Sequence, residues 1–155
     1  MNGKKSVIDF LNSQLTLELT SMDQYLAHAK IYDDLGLSKL HEKLLHEHEE
    51  ELAHSKQLIE RIIFLGGEPD TISREKVNIS TKPVEMLQND LDGEYLVAEN
   101  LRKGISLCEK ENDYVSRNIL VELLNDTETD HIFWLQQHLR LIDKIGIENY
   151  LQSQL

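Results

Sequence analysis

The sequence predicts an all-α fold, a four-helix bundle with one long crossover between helices 2 and 3 and a short C-terminal helix. Three observations carry this reading. Apolar residues recur at helical spacing in four long segments. Only two prolines and seven glycines interrupt 155 residues, so most of the chain is free to be helical. Two of the links between segments are short and one is long. Short links place neighbours antiparallel, and a long link can run the length of a bundle at roughly 3.3 Å per residue.

The first segment runs from about Ser6 to Leu35, with Val7, Leu11, Leu15, Met22, Tyr25, Ala29 and Tyr32 on one stripe. Gly36 stops it, and Ser38 is the expected N-cap of the second. That helix carries Leu40, Leu44, Leu58, Ile62 and Leu65 on one face, and Gly66, Gly67 and Pro69 end it. Residues 66–82 are polar and lack a clear period, with Val77 and Ile79 as a weak extended candidate. Pro83 suits the first turn of the third helix, whose stripe is Leu87, Leu91, Ala98, Leu101, Ile105 and Cys108. A polar break from Glu109 to Asp113 precedes the fourth, with Val121, Leu124, Leu135 and Ile142 expected inside. Gly146 interrupts it, and Ile147 to Leu155 make a final small helix. The length fits one domain, residues 1–155.

Composition narrows function. Twenty-eight acidic against sixteen basic residues give a formal charge of −12. Such a surface repels nucleic acid and attracts cations. One cysteine excludes an internal disulfide and fits a reducing compartment, so the expected location is cytoplasmic. The N-terminus does not read as a secretory signal, and no apolar run is long enough to span a membrane.

Each apolar stripe contains an acid where a core residue is expected. Glu18 falls in line with Leu11, Leu15 and Met22, and Glu94 with Leu91 and Ala98. Glu51 and His54 sit between Leu44 and Leu58, with Glu47 one turn earlier on the same face. Glu128 and His131 sit between Leu124 and Leu135. Buried carboxylates without partners are costly, and four in one core call for cations. Glu-x-x-His puts both side chains on one helix face, within reach of one metal ion. Two helices giving Glu and two giving Glu-x-x-His make the ligand set of di-iron and di-manganese carboxylate bundles. Without thiolate, the set disfavours structural zinc and suits iron or manganese. A single such pair reads as a surface ion pair; the joint pattern does not.

Specific segments then carry a family resemblance over nearly the whole length. They are Val7-Ile8-Asp9-Phe10-Leu11-Asn12, Asp23-Gln24-Tyr25, the run from His46 to His54, Asn100-Leu101-Arg102, Asp113-Tyr114-Val115-Ser116-Arg117 and Glu148-Asn149-Tyr150-Leu151-Gln152. The sequence resembles the bacterioferritins and related haem-free bacterial ferritins. The resemblance implies iron storage and detoxification, with ferroxidase activity: Fe(II) is oxidised to Fe(III) at a di-iron centre inside each subunit. The mineral is deposited in a hollow cage of 24 copies. It implies two irons per subunit, with Glu18, His54, Glu94 and His131 as terminal ligands and Glu51 and Glu128 as bridges. It implies a tyrosine near the metals at Tyr25, able to supply an electron; a core tyrosine with a bonded hydroxyl fits as well. For Trp134 an electron relay stands beside core packing. In relatives, the pair at His46 and Glu50 faces the cavity and binds iron, with Asp in place of Glu50; the acidic run around it fits a solvated face equally.

Two departures stand out. Haem-binding members carry a Met ligand where this chain has Leu52, which argues against haem. Against the family's pattern the chain also has one extra residue near Asn125-Asp126-Thr127, to be absorbed by a bulge or an adjusted connection. Further partners left open are a haem-binding sister subunit and a ferredoxin for iron release. The competing readings are a cage subunit that co-assembles with such a sister chain, and a non-storage di-metal oxidase.

Overall fold

The computed structural model describes residues 1–155. Helix α1 spans Lys5–Asp34, α2 Ser38–Phe64 and α3 Pro83–Lys110. The fourth rod comprises α4 (Tyr114–Asp126), a π-helical segment (Thr127–Ile132) and α5 (Phe133–Ile145). Backbone angles stay helical across both joints, so the rod is continuous. A short α6 (Ile147–Ser153) ends the chain. The expected bundle, crossover and terminal helix are therefore all present. No helix is long and apolar enough to cross a membrane.

Local chemistry explains the boundaries. Gly66 takes φ +84°, a left-handed value that halts α2. Pro83 opens α3, where its missing N–H is no loss. The Asp113 side chain accepts from the Ser116 amide and caps α4. Ser38 does not cap α2 as expected; it is the first helical residue, and no side chain caps that end. Val77 and Ile79 form no strand.

Cross-helix contacts fix the topology. The start of α1 meets the end of α3, where a Cβ on Gly104 would come within 2.0 Å of the Phe10 ring. The end of α1 meets the start of α3 through Tyr32 and Pro83. The two helices are thus antiparallel. At the far end of α2, Arg61 donates to Asp113 and Ser116 at the start of α4.

The crossover, residues 66–82, lies along α1 and is tied to it at intervals. Asn12, Thr20, Gln24 and His28 share one line of α1, spaced by multiples of four. Asn12 bonds both Glu68 and Asp70. The amides of Glu75, Asn78 and Ser80 donate to Thr20, Gln24 and His28. Because Ser80 donates to Nε2 of His28, the ring proton sits on Nδ1 and is given to Asp90 at 2.8 Å. Gln24 donates to the same oxygen of Asp90.

The core comes in two parts. One holds Val7, Leu11, Leu58, Ile62, Leu101, Leu120 and Leu123. The other holds Tyr32, Leu40, Leu44, Met86, Leu87, Leu135 and Tyr150. Between them lies a belt of buried polar side chains contributed by all four rods.

Candidate metal centre

Five of the six expected side chains meet in that belt. Glu18 of α1, Glu51 and His54 of α2, Glu94 of α3 and His131 of the fourth rod are all buried. Their donor atoms form two overlapping triplets, Glu18–Glu51–His54 and Glu51–Glu94–His131. Glu51 belongs to both. Nδ1 of His54 lies 3.7 Å from Glu18 and 3.8 Å from Glu51. Nδ1 of His131 lies 3.1 Å from Glu51 and 3.3 Å from Glu94. One oxygen of Glu18, one of Glu94, both of Glu51 and both Nδ1 atoms have no hydrogen-bond partner. Buried donors and acceptors left free in one place are what a bound cation satisfies.

The remaining atoms are held from outside. Gln14 donates to Glu18 at 2.9 Å and is itself held by Asn100. Tyr25 donates to Glu94 at 2.6 Å, so its hydroxyl touches the centre. Nε2 of His54 meets Asp126 at 3.0 Å. Nε2 of His131 meets Glu47 and Glu50, each at 2.6 Å.

Glu128 is the exception. It is exposed and pairs with Arg102 at 2.7 Å, away from the cluster. The physical reason is the π-helical segment. Its wider turns absorb the extra residue and shift the register by one. Ahead of it the inward residues are Ser116, Leu120, Leu123 and Thr127, so Val121 faces out, contrary to expectation. After it His131, Leu135 and Ile142 face in. Counting back from His131 at α spacing lands on Glu128; the chain places Thr127 there instead.

The other expected residues fall as follows. His46 and Glu50 do meet, at 2.9 Å, at the edge of the belt. Trp134 stacks on His138 with ring centres 3.9 Å apart, under Lys43. Leu52 is half-buried on α2. Gln14 and Asp126 lay outside the expected set. Gln14 lies four residues before Glu18, and Asp126 lies three after the inward Leu123, at the end of α4, a position legible only once the register of α4 is known.

Electrostatics follow from burial. Burial and the Glu51 charge push Glu18 up to about 8. Burial also acts against the charge on Glu51, but the neighbouring Glu18, His131 and His54 outweigh it and lower its pKa. For His54, burial opposes protonation, yet the facing Glu18 and Glu51 lift it to about 11. His131 is likewise raised, against its burial, by Glu94, Glu47, Glu50 and Glu51. Glu50 drops to about 2 beside His131. Protons on the imidazoles thus serve as counter-charges, and a binding cation displaces them.

A model of the ferritin-like domain matches residues 8–145. The chain belongs to the ferritin-like family. It is 49% identical to a bacterial ferritin of Neisseria meningitidis serogroup A over 155 residues, all of both chains. It is 46% identical to a bacterial ferritin of Synechocystis over all of this chain and 99% of the other. A bacterioferritin of Brucella melitensis is 39% identical, over 98% and 94% of the two chains. Membership accounts for the four-rod belt.

Proposed function

We propose that this protein stores and detoxifies iron, oxidising Fe(II) to Fe(III) at its buried belt and depositing the product in a self-assembled cage of 24 subunits. The observation that carries this reading is the pair of triplets sharing Glu51, built from four rods and closed by apolar core on both sides. Fe(II) is the substrate, held two per subunit. The carboxylates favour the higher charge of the Fe(III) product. Glu51 spans the two positions, Glu18 and Glu94 flank it, and the imidazoles present neutral nitrogen once their protons leave. Tyr25, bonded to Glu94, is placed to give an electron. His46, Glu47 and Glu50 offer a further carboxylate and imidazole group at the rim, suited to passing iron on.

The chain forms one domain and works in the cytoplasm. Leu52 has no ligating atom, so it binds no haem by itself. That residue favours one second reading, in which haem comes from a sister chain in the same cage and a ferredoxin supplies the electrons that reduce Fe(III) for release.

Size measurement with metal analysis tests the proposal. The purified chain forms a large hollow assembly, takes up iron well beyond two per chain, and shows no haem band when haem is supplied. A small species that oxidises Fe(II) without retaining it points instead to a non-storage oxidase.

A further inference from the structure

We propose that this chain's di-metal centre has five direct ligands, Glu18, Glu51, His54, Glu94 and His131, and that Glu128 is not one of them. Asp126 on one side, and Glu47 with Glu50 on the other, are positioning residues that hold the two imidazoles from behind. The proposal rests on the iron-centre reading above.

The first support is the place that Glu128 would need. Thr127 fills it: the side chain is fully buried and its hydroxyl donates to the Leu123 carbonyl at 2.9 Å. Glu128 follows on the outer side and meets Arg102 of α3, with both side chains about half exposed.

The second support is that the register is locked from both ends. Adjacent residues on a helix differ by about 100°. Turning α4 by that angle to swing Glu128 inward takes Leu120 and Leu123 out of the core. It also takes Ser116 from Arg61. Turning α5 instead takes out Leu135, and with it His131 itself. Each half of the rod keeps its own core, and the π-helical segment is the seam between them.

The third support is the matched setting of the two histidines. Both present Nδ1 to the buried carboxylates, in each case including an unpartnered oxygen of Glu51, and Nε2 to carboxylates behind. A ring N–H given to a carboxylate fixes the ring and strengthens the opposite nitrogen as a ligand. Asp126 is the residue just ahead of the π-helical segment. The fourth rod therefore still brings an acid to the centre, but one that acts through His54.

Co(II) titration of the assembled metal-free protein tests this, read by visible absorption and calorimetry. Wild type binds two Co(II) per chain. Glu128→Ala also binds two, with affinities within about threefold. Asp126→Asn keeps the side-chain size and weakens one Co(II) by about 10-fold or more, as the loss of a partner behind a ligand does. Loss of a Co(II) in Glu128→Ala, or weakening beyond threefold, overturns the five-ligand centre. So does an Asp126→Asn chain that binds both ions as wild type does. No Co(II) bound by wild type sinks the iron-centre reading itself, a different result from either.

Discussion

On α2, Glu51 and His54 stand on one face of an unbroken helix, and both reach the buried belt. On the fourth rod, Glu128 and His131 have the same spacing, yet only His131 reaches it. The two pairs differ in winding, not in chemistry. At 3.6 residues per turn, positions three apart share a face; in a π turn they do not. The π-helical winding thus turns the Glu128 carboxylate outward while leaving the core contacts of the rod and the neighbouring imidazole in place. Just ahead of that segment, at the end of α4, Asp126 reaches His54 at 3.0 Å.

The largest expected difference lies between the two glutamates of these pairs. Glu51→Gln removes the one side chain common to both triplets. Fast Fe(II) oxidation, followed by stopped flow at two Fe(II) per chain, falls by more than the roughly 100-fold that losing an outer partner costs. Glu128→Gln stays within about threefold, the same small margin as its metal affinity. Equal loss in both erases the contrast between the two pairs.

Next in size is the register of α4. Leu123→Ala opens the core and costs about 2–5 kcal/mol. Val121→Ala, at a 38% exposed position, changes stability by within about 0.5 kcal/mol. Urea unfolding of the metal-free protein measures both. The reverse order would mean that α4 carries the unshifted register.

A smaller effect separates α5 from the rest of the rod by pH. Burial and the Lys43 charge push His138 down to about 4. The unfolded ring titrates near 6.5, so between these values the unfolded chain binds more protons. His138 therefore supports folding fully above about pH 6.5, and that support is lost as pH falls toward 4. Protonation also ends its role as acceptor for the Tyr150 hydroxyl, 2.6 Å away. Fluorescence of Trp134, the single tryptophan, reports the change, and His138→Phe removes its pH dependence. An unchanged profile in that variant assigns the titration elsewhere.

The smallest effect is expected at Arg102. Its pair with Glu128 is exposed, so Arg102→Ala costs under about 1 kcal/mol in the same urea assay. A larger loss would make the pair a fastening of the π-helical segment rather than a consequence of it.

Much of this was legible because acids inside apolar stripes are rare and conspicuous. Glu18, Glu51, His54 and Glu94 each lie on an uninterrupted helix, where counting by 3.6 gives the right face. His131 is reached by the stripe that follows it, through Leu135. Glu128 was misplaced, and Val121 with it, because the count ran through a segment with a different period. No residue between Asn125 and Ile132 announces that change of winding; the surplus residue was visible, but its accommodation is decided by Leu120 and Leu123 on one side and Leu135 on the other. The crossover was seen as a link, but not how it is held. Its partners are ordinary polar residues on the back of α1, where Thr20, Gln24 and His28 look like solvent-facing positions.

That back of α1 sets how the crossover can drift in sequence. The three helix side chains hold backbone amides of Glu75, Asn78 and Ser80, groups that every residue except proline offers. Side chains between the ties, such as Lys76 and Val77, are therefore free to be exchanged over generations with little penalty. Spacing is not free in the same way. A single codon gained or lost between Glu75 and Ser80 takes at least one amide off its acceptor and leaves Gln24 or His28 buried beside Asp90 with a bond unmade. The crossover is thus expected to vary in spelling among descendants while keeping its length, because its ties are to backbone amides at fixed intervals.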